Sequence, residues 1–177
     1  MAWDRDKAQE FEQLAMPLFG PLYNLAHWLT QDRTEAEDLV QETFAKALKG
    51  FGSFQPGTNF RAWMYRILRN TFLTSRTGLK AAASLDDDDA QTPPPATTDT
   101  PESILLARAD HDSIQRALQR LPVAYREIIL LCDVEEMSYR EIAEALGVPM
   151  GTVMSRLARA RKAMRGLLRP NATGAHS

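Results

Sequence analysis

One cysteine cannot make a disulfide within one chain, and Cys132 stands alone among 177 residues, in the apolar run IILLCDV. A framework of internal cross-links is excluded, which favours a reducing, cytosolic compartment. Histidine is also sparse. His27, His111 and His176 lie far apart, and none stands at metal-ligand or nucleophile–base spacing. No glycine-rich phosphate loop is present, and the run DDDD from Asp86 to Asp89 offers poor geometry for a bound cation. Enzymes are therefore the least supported class, and neither metal nor cofactor is expected. No apolar run nears the ~20 residues that cross a bilayer. The start, MAWDRDKAQEFEQ, lacks the apolar core of a signal sequence. A soluble, cytoplasmic protein without membrane insertion is expected.

Charge is missing in a patterned way. Between Ala81 and Ala107 there is no lysine or arginine, while six acidic residues and the run PPP crowd the same stretch. Little there can bury an apolar face, so residues 80–103 read as a mobile linker between two modules. From Arg61 to Lys80 there are Arg61, Arg66, Arg69, Arg76 and Lys80 with no acid. From Thr152 to Arg169 six basic residues again stand without an acid. The net charge of −2 speaks mildly against a free-standing nucleic-acid binder, but local patches decide that question.

No period-two alternation is sustained, so the chain is expected to be all-α. The first module spans residues 4–79. Phe11, Leu14, Leu18, Leu22, Leu25 and Leu29 recur at helical steps, with Pro17 and Pro21 set to kink or split the helix. Thr34 and Glu37 suggest a capping box opening a helix to about Lys49 with Ala36, Leu39, Val40, Phe44, Ala47 and Leu48 inward. The loop FGSFQPGTN precedes a third helix, FRAWMYRILRNTFLTSR, with Phe60, Met64, Ile67, Leu68 and Phe72 inward. The second module spans residues 104–169, with a tail at 170–177. It should hold helices over Ile104–Leu121 and VAYREIILLCDVEEM.

Ser138 and Glu141 form a second capping box, and Gly147 ends the helix they open. The turn GVP leads to a helix whose Val153, Leu157, Ala160 and Met164 face Ile142, Ala143, Leu146 and Val148. Thr152, Ser155, Arg156, Arg159 and Lys162 face away. That is a helix-turn-helix pattern, with short polar groups and arginines suited to base edges and phosphates. A basic, solvated face in an ordinary bundle fits the spacing too. In the first module, arginines interleaved with Trp63, Tyr65 and Phe72 suit unstacked bases, although Trp63 reads equally well as core. The helix TEAEDLVQETFAKAL carries an acidic face that cannot lie on phosphate. An autonomous helix-turn-helix regulator and a helical adaptor remain alternatives, although no coiled-coil seam for a dimer is evident.

Four blocks in order, EDLVQETFAKAL, FRAWMYRILRN, LPVAYREIILL and SYREIAEALGVPMGTVMSRLARAR, resemble the extracytoplasmic function (ECF) sigma factors of bacterial RNA polymerase. The resemblance runs from Phe11 to Leu168. It implies a region 2-like and a region 4-like domain that select promoters and assist DNA melting. Asp38, Leu39, Gln41 and Glu42 match the surface that docks on core RNA polymerase at the clamp helices of its largest subunit. The flap of the second largest subunit is a further implied contact. Phe51, Phe54, Asn59, Arg61, Trp63, Arg66 and Asn70 match the −10 element surface, whose loop captures a flipped base. Thr152, Ser155, Arg156, Arg159 and Lys162 match the −35 surface. Met154 departs from the Lys or Arg of many relatives. GTNFRAWMYRILRNTF and GTVMSRL look similar to members that answer thiol-oxidative stress under a zinc-containing anti-sigma factor.

Overall fold

A computed structural model of the chain describes residues 5–77 and 110–168. The expected linker (80–103), residues 104–109, Arg169 and the tail (170–177) lie outside the described residues. So do the first residue of the expected first module and its last two. All regular elements among the described residues are helical, as the missing alternation implies.

Helix α1, Arg5–Ala15, is followed by a single 3-10 turn, Met16–Leu18, and by α2, Phe19–Thr30. Pro17 falls in the 3-10 turn and splits the expected continuous helix. Pro21, in the first turn of α2, costs no hydrogen bond. The split rotates part of the apolar stripe outward: Leu22, Leu25 and Leu29 are buried, whereas Leu14 is 40% exposed. Gln31 takes a left-handed conformation (φ 56°) and donates its N–H to His27 O at 2.7 Å, ending α2.

Helix α3, Arg33–Gly50, starts two residues earlier than the Thr34–Glu37 pattern suggests. Its cap is Asp32, whose carboxylate accepts the Glu35 N–H at 3.0 Å. Asp caps at least as well as Thr, so the alternative two residues later loses. Ala36, Leu39, Val40 and Ala47 are buried, Phe44 partly so, and Leu48 is 40% exposed. Helix α4, Phe60–Thr77, buries Met64, Tyr65, Leu68 and Phe72. A knot of aromatic rings closes this module at one end. The Phe11 ring meets Phe51 edge-on at 5.4 Å and Phe60 at 6.2 Å, contacts worth about 0.5–1.5 kcal/mol each beyond area burial.

In the second module α5, His111–Arg120, is capped by Asp110, whose carboxylate accepts the Ser113 N–H at 2.7 Å. Helix α6, Val123–Ile129, runs on into a wider π turn, Leu130–Val134, rather than continuing through Met137. The turn is closed by Glu135 N–H to Leu130 O at 2.9 Å and returns Met137 to the core. Helices α7, Tyr139–Leu146, and α8, Met150–Leu168, complete the module, with α8 against α5, α6 and α7.

The two modules are not held apart. Helix α4 packs on α7 and α2 on α6, and the buried residues of both form one contiguous core. The pattern of apolar residues along each helix did not announce this packing. Arg126 explains part of it. Its buried guanidinium donates to Leu118 O (2.8 Å), Gln119 O (3.2 Å) and Leu121 O (2.8 Å) at the end of α5. It also donates across the boundary to Trp28 O, 2.9 Å away in the last turn of α2. Two helix C-termini, each with orphan carbonyls and a negative dipole end, thus share one cation.

Arg126→Ala should strip these carbonyls of their donor and lower unfolding stability by on the order of 3 kcal/mol. Arg126→Lys, with a charge but no fork, should fall between the two. A urea midpoint for Arg126→Ala equal to that of the parent chain would refute the capping role.

Candidate nucleic-acid interface

The loop before α4 is built by its sequence. Pro56 and Gly57 occupy the corner of a turn closed by Thr58 N–H to Gln55 O at 3.2 Å, and Gly57 supplies the positive φ of 90°. Asn59 then caps α4, its side-chain oxygen accepting the Ala62 N–H at 2.9 Å. Phe51 is buried and anchors the loop from below. Phe54 and Trp63 are half-buried, their rings 5.1 Å apart, and stand at the loop as an aromatic pair of the kind on which an unstacked base can lie. Arg66 and Asn70 are exposed, one turn apart on α4.

The helix-turn-helix is present in α7 and α8. Ser138 accepts the Glu141 N–H at 3.1 Å, and Glu141 accepts the Ser138 N–H at 3.1 Å, the reciprocal capping box expected. Gly147 closes α7 with φ 70°, and the Arg66 guanidinium lies 3.6 Å from where a β-carbon there would stand. Val153, Leu157, Ala160 and Met164 are buried as expected. Of the five outward residues expected on α8, Lys162 is exposed and Thr152 and Arg159 are half-buried. Ser155 and Arg156 are interior, at 3% and 0% exposure, so α8 shows less polar face than its wheel suggests. Arg161, unremarked on that wheel, pairs with Asp133 at 3.0 Å and approaches the Cys132 sulfur at 3.6 Å. Burial foremost, with the Asp133 charge, pushes the Cys132 thiol up to about 11, which keeps it protonated and unreactive.

On α3, Asp38, Gln41 and Glu42 are exposed while Leu39 is buried beneath them. With Glu35, Asp38 and Glu42 rim a cleft of about 270 Å³ floored by Leu39 and Phe72. Arg76 is the cation lining it, and it pairs with Glu35 at 2.9 Å and covers the Phe72 ring at 5.3 Å.

Arg61 and Arg69 of α4 are turned onto the second module. Arg61 reaches Glu141 (2.7 Å) and Glu135 O (3.3 Å), and Asn59 donates to the same Glu141 oxygen at 2.9 Å. Two turns on, Arg69 pairs with buried Glu127 at 3.1 Å and donates to Leu146 O at 3.4 Å. Helices α4 and α7 therefore run side by side in the same direction. Burial pushes the Glu141 carboxyl up, but hydrogen bonds from Asn59, Arg61 and the Ser138 backbone outweigh it and hold the group below the ordinary glutamate range. Tyr65, beneath this contact, is pushed up by burial and by the neighbouring Glu135 carboxylate.

Two family models match the chain: sigma-70 region 2 over residues 16–82 and sigma-70 region 4 over residues 111–164. The chain is 33% identical over 155 residues to the ECF RNA polymerase sigma factor SigW of Bacillus subtilis, covering 84% of this chain and 83% of that protein. It belongs to the ECF sigma factors. Similarity to SigE of Mycolicibacterium smegmatis reaches 37% identity over 172 residues; 89% of this chain is covered, but only 64% of that longer relative. Among solved structures, the sigma factor RpoE of Bartonella quintana, in complex with the anti-sigma factor NepR, superimposes with a TM-score of 0.68 at 30% identity. That match covers 92% of this chain and 99% of that one. CnrH, solved with the cytosolic domain of CnrY, gives a TM-score of 0.64 at 26% identity. No helix among the described residues of this sigma factor is long and apolar enough to cross a membrane.

Glu127 and Arg126 were not among the residues expected to matter, and Glu141 was expected only to cap its own helix. A signal existed for two of them, since Arg126 and Glu127 interrupt an otherwise apolar helix, VAYREIILL. Because the folded Glu141 carboxyl ionises at lower pH than an unfolded one, it favours the folded state fully above the ordinary glutamate range. That contribution fades as the pH falls through its depressed value. Thermal melts should therefore show the parent chain's advantage over Glu141→Gln largest near neutrality and shrinking in acid. A difference constant with pH would contradict the assignment.

Proposed function

We propose that this sigma factor directs core RNA polymerase to promoters by joining two weak DNA grips into one spaced contact. The domain split at residues 4–79 and 104–169, with 80–103 as linker, frames the reading. The −10 grip is the aromatic pair Phe54 and Trp63 with Asn59, Arg61, Arg66 and Asn70, Phe51 serving as its buried anchor. It holds an unstacked base, and that binding offsets the few kcal/mol that flipping costs. The −35 grip is α8, where Thr152, Arg159 and Lys162 are the accessible residues; Ser155 and Arg156 back them from inside. Few phosphate contacts per module and a net charge of −2 make the free chain a poor DNA binder. Polymerase supplies the missing affinity by fixing the separation between modules.

The observation that carries this reading is the pairing of two basic, helix-borne surfaces with one acidic docking cleft in the same chain. Glu35, Asp38 and Glu42 over Leu39 and Phe72 fit a cationic side chain with an aliphatic stem. The clamp helices of the largest subunit supply such a partner, and the flap of the second largest subunit would receive the second module. An anti-sigma factor controlling a stress response fits the same family logic, since the RpoE neighbour was solved with one. A zinc-containing one would sense thiol oxidants on its own cysteines, because Cys132 is alone and protonated. The setting is the cytoplasm, at the nucleoid once holoenzyme forms.

Asp38→Arg should abolish co-purification with core polymerase while leaving the helical circular dichroism and melting unchanged. Retained co-purification would end the docking assignment. In the holoenzyme, Arg159→Ala should cost about 1–3 kcal/mol of promoter affinity if it reads a base edge. An equal loss on every promoter sequence would make Arg159 a phosphate clamp instead.

A further inference from the structure

We propose that Glu141 is an internal stand-in for a DNA phosphate. In the free chain its carboxylate fills the anion grip formed by Asn59 and Arg61, and −10 DNA must displace it to bind. The proposal rests on the reading that this grip meets DNA, and adds to it a competitor carried by the chain itself.

One oxygen of Glu141 receives three donors: Asn59 Nδ2 at 2.9 Å, Arg61 Nε at 3.2 Å and an Arg61 terminal nitrogen at 2.7 Å. A guanidinium fork with a neighbouring amide suits a carboxylate and a phosphodiester alike. Both sides of the grip are rigid. Asn59 is fixed as the cap of α4, and the second oxygen of Glu141 is held by the Ser138 N–H in the capping box. The carboxylate is thus mounted on the first turn of α7 and cannot swing aside alone. Displacing it lifts α7 from α4.

Location makes displacement possible. The Arg61 and Glu141 side chains are 33% and 20% exposed, against 8% and 3% for the Arg69–Glu127 pair deeper between the modules. An incoming phosphate reaches the rim pair first. A carboxylate held in the same chain acts at millimolar effective concentration, so dilute DNA competes badly until the modules are drawn apart. Feeble binding by the free chain then has a local cause as well as an overall charge.

The test uses the full chain and Glu141→Gln, in which glutamine still closes the capping box but leaves Arg61 without its counter-charge. Fluorescence anisotropy with a single-stranded −10 oligonucleotide should show the free variant binding at least about fivefold tighter than the parent. Within holoenzyme, where polymerase has separated the modules, the two should bind alike. Equal affinities of the free proteins would overturn the proposal, as would a gain that persists undiminished in holoenzyme. Asn59→Asp supplies an arm without DNA: aspartate still caps α4 but sets a second carboxylate against Glu141. Small-angle scattering should show this variant expanded at unchanged helix content, and parental dimensions would count against the contact as the restraint. If parent holoenzyme failed to bind −10 DNA while Asn59→Asp still expanded, the promoter reading would fall and the intermodule restraint would stand.

Discussion

Charge taken out of water must be answered in place, and the boundary between the two modules is where this chain meets that demand. Arg69 and Glu127 are 8% and 3% exposed and face one another at 3.1 Å. Arg126 is buried among four carbonyls from two helix ends. Such pairs add little net stability compared with apolar packing, because desolvation consumes most of the attraction. What they supply is register. A slide of one turn between α4 and the second module would leave Arg69 and Glu127 buried without partners, at a cost of several kcal/mol. Apolar contact between the helices tolerates such a slide; these charges do not.

The same constraint explains what could and could not be read from the chain. Helix content, the Ser138–Glu141 box, the Gly147 stop and the inward residues of α8 were all legible, because each depends on neighbours three or four positions away. The start of α3 was misplaced for a local reason, since Asp32 and Thr34 are both competent caps and only geometry selects between them. The packing of one module on the other had no local signature. Arg69 sits on the inward side of α4, one turn beyond Tyr65 and one turn before Phe72, yet in the sequence it looks like one more member of a basic stretch. Its partner Glu127 lies 58 residues away. Pairing over that separation is set by tertiary contact, which no helical period encodes.

The candidate site shows the same division. Residue types that suit nucleic acid were visible in both modules, and so was the acidic helix that cannot touch phosphate. Accessibility was not. A wheel assigns Ser155 and Arg156 to the outer side of α8, but the helix is surrounded closely enough that both are interior. Phe51 and Leu39 likewise support their surfaces from beneath. Thr152, Arg159 and Lys162 on one module, and Phe54, Trp63, Arg66 and Asn70 on the other, are what remains for a partner to touch.

An excess of acid and a pair of basic stretches look contradictory only if the charges are summed without regard to place. Along α4, Arg61 pairs with Glu141, Arg66 lies beside the Gly147 turn, and Arg69 meets Glu127 and the Leu146 carbonyl, while Arg76 turns to Glu35 on α3. The second module thereby pairs two of the four arginines of α4 with its own acids. Helix α3 keeps Asp38 and Glu42 exposed, charges that repel DNA and attract a basic protein surface. On the proposed reading the protein partner is met first, through a surface the closed form leaves open, and nucleic acid only after the modules part. On that same reading the acidic balance is part of the selectivity, since a chain with its arginines uncovered would be titrated by non-specific DNA before it met polymerase.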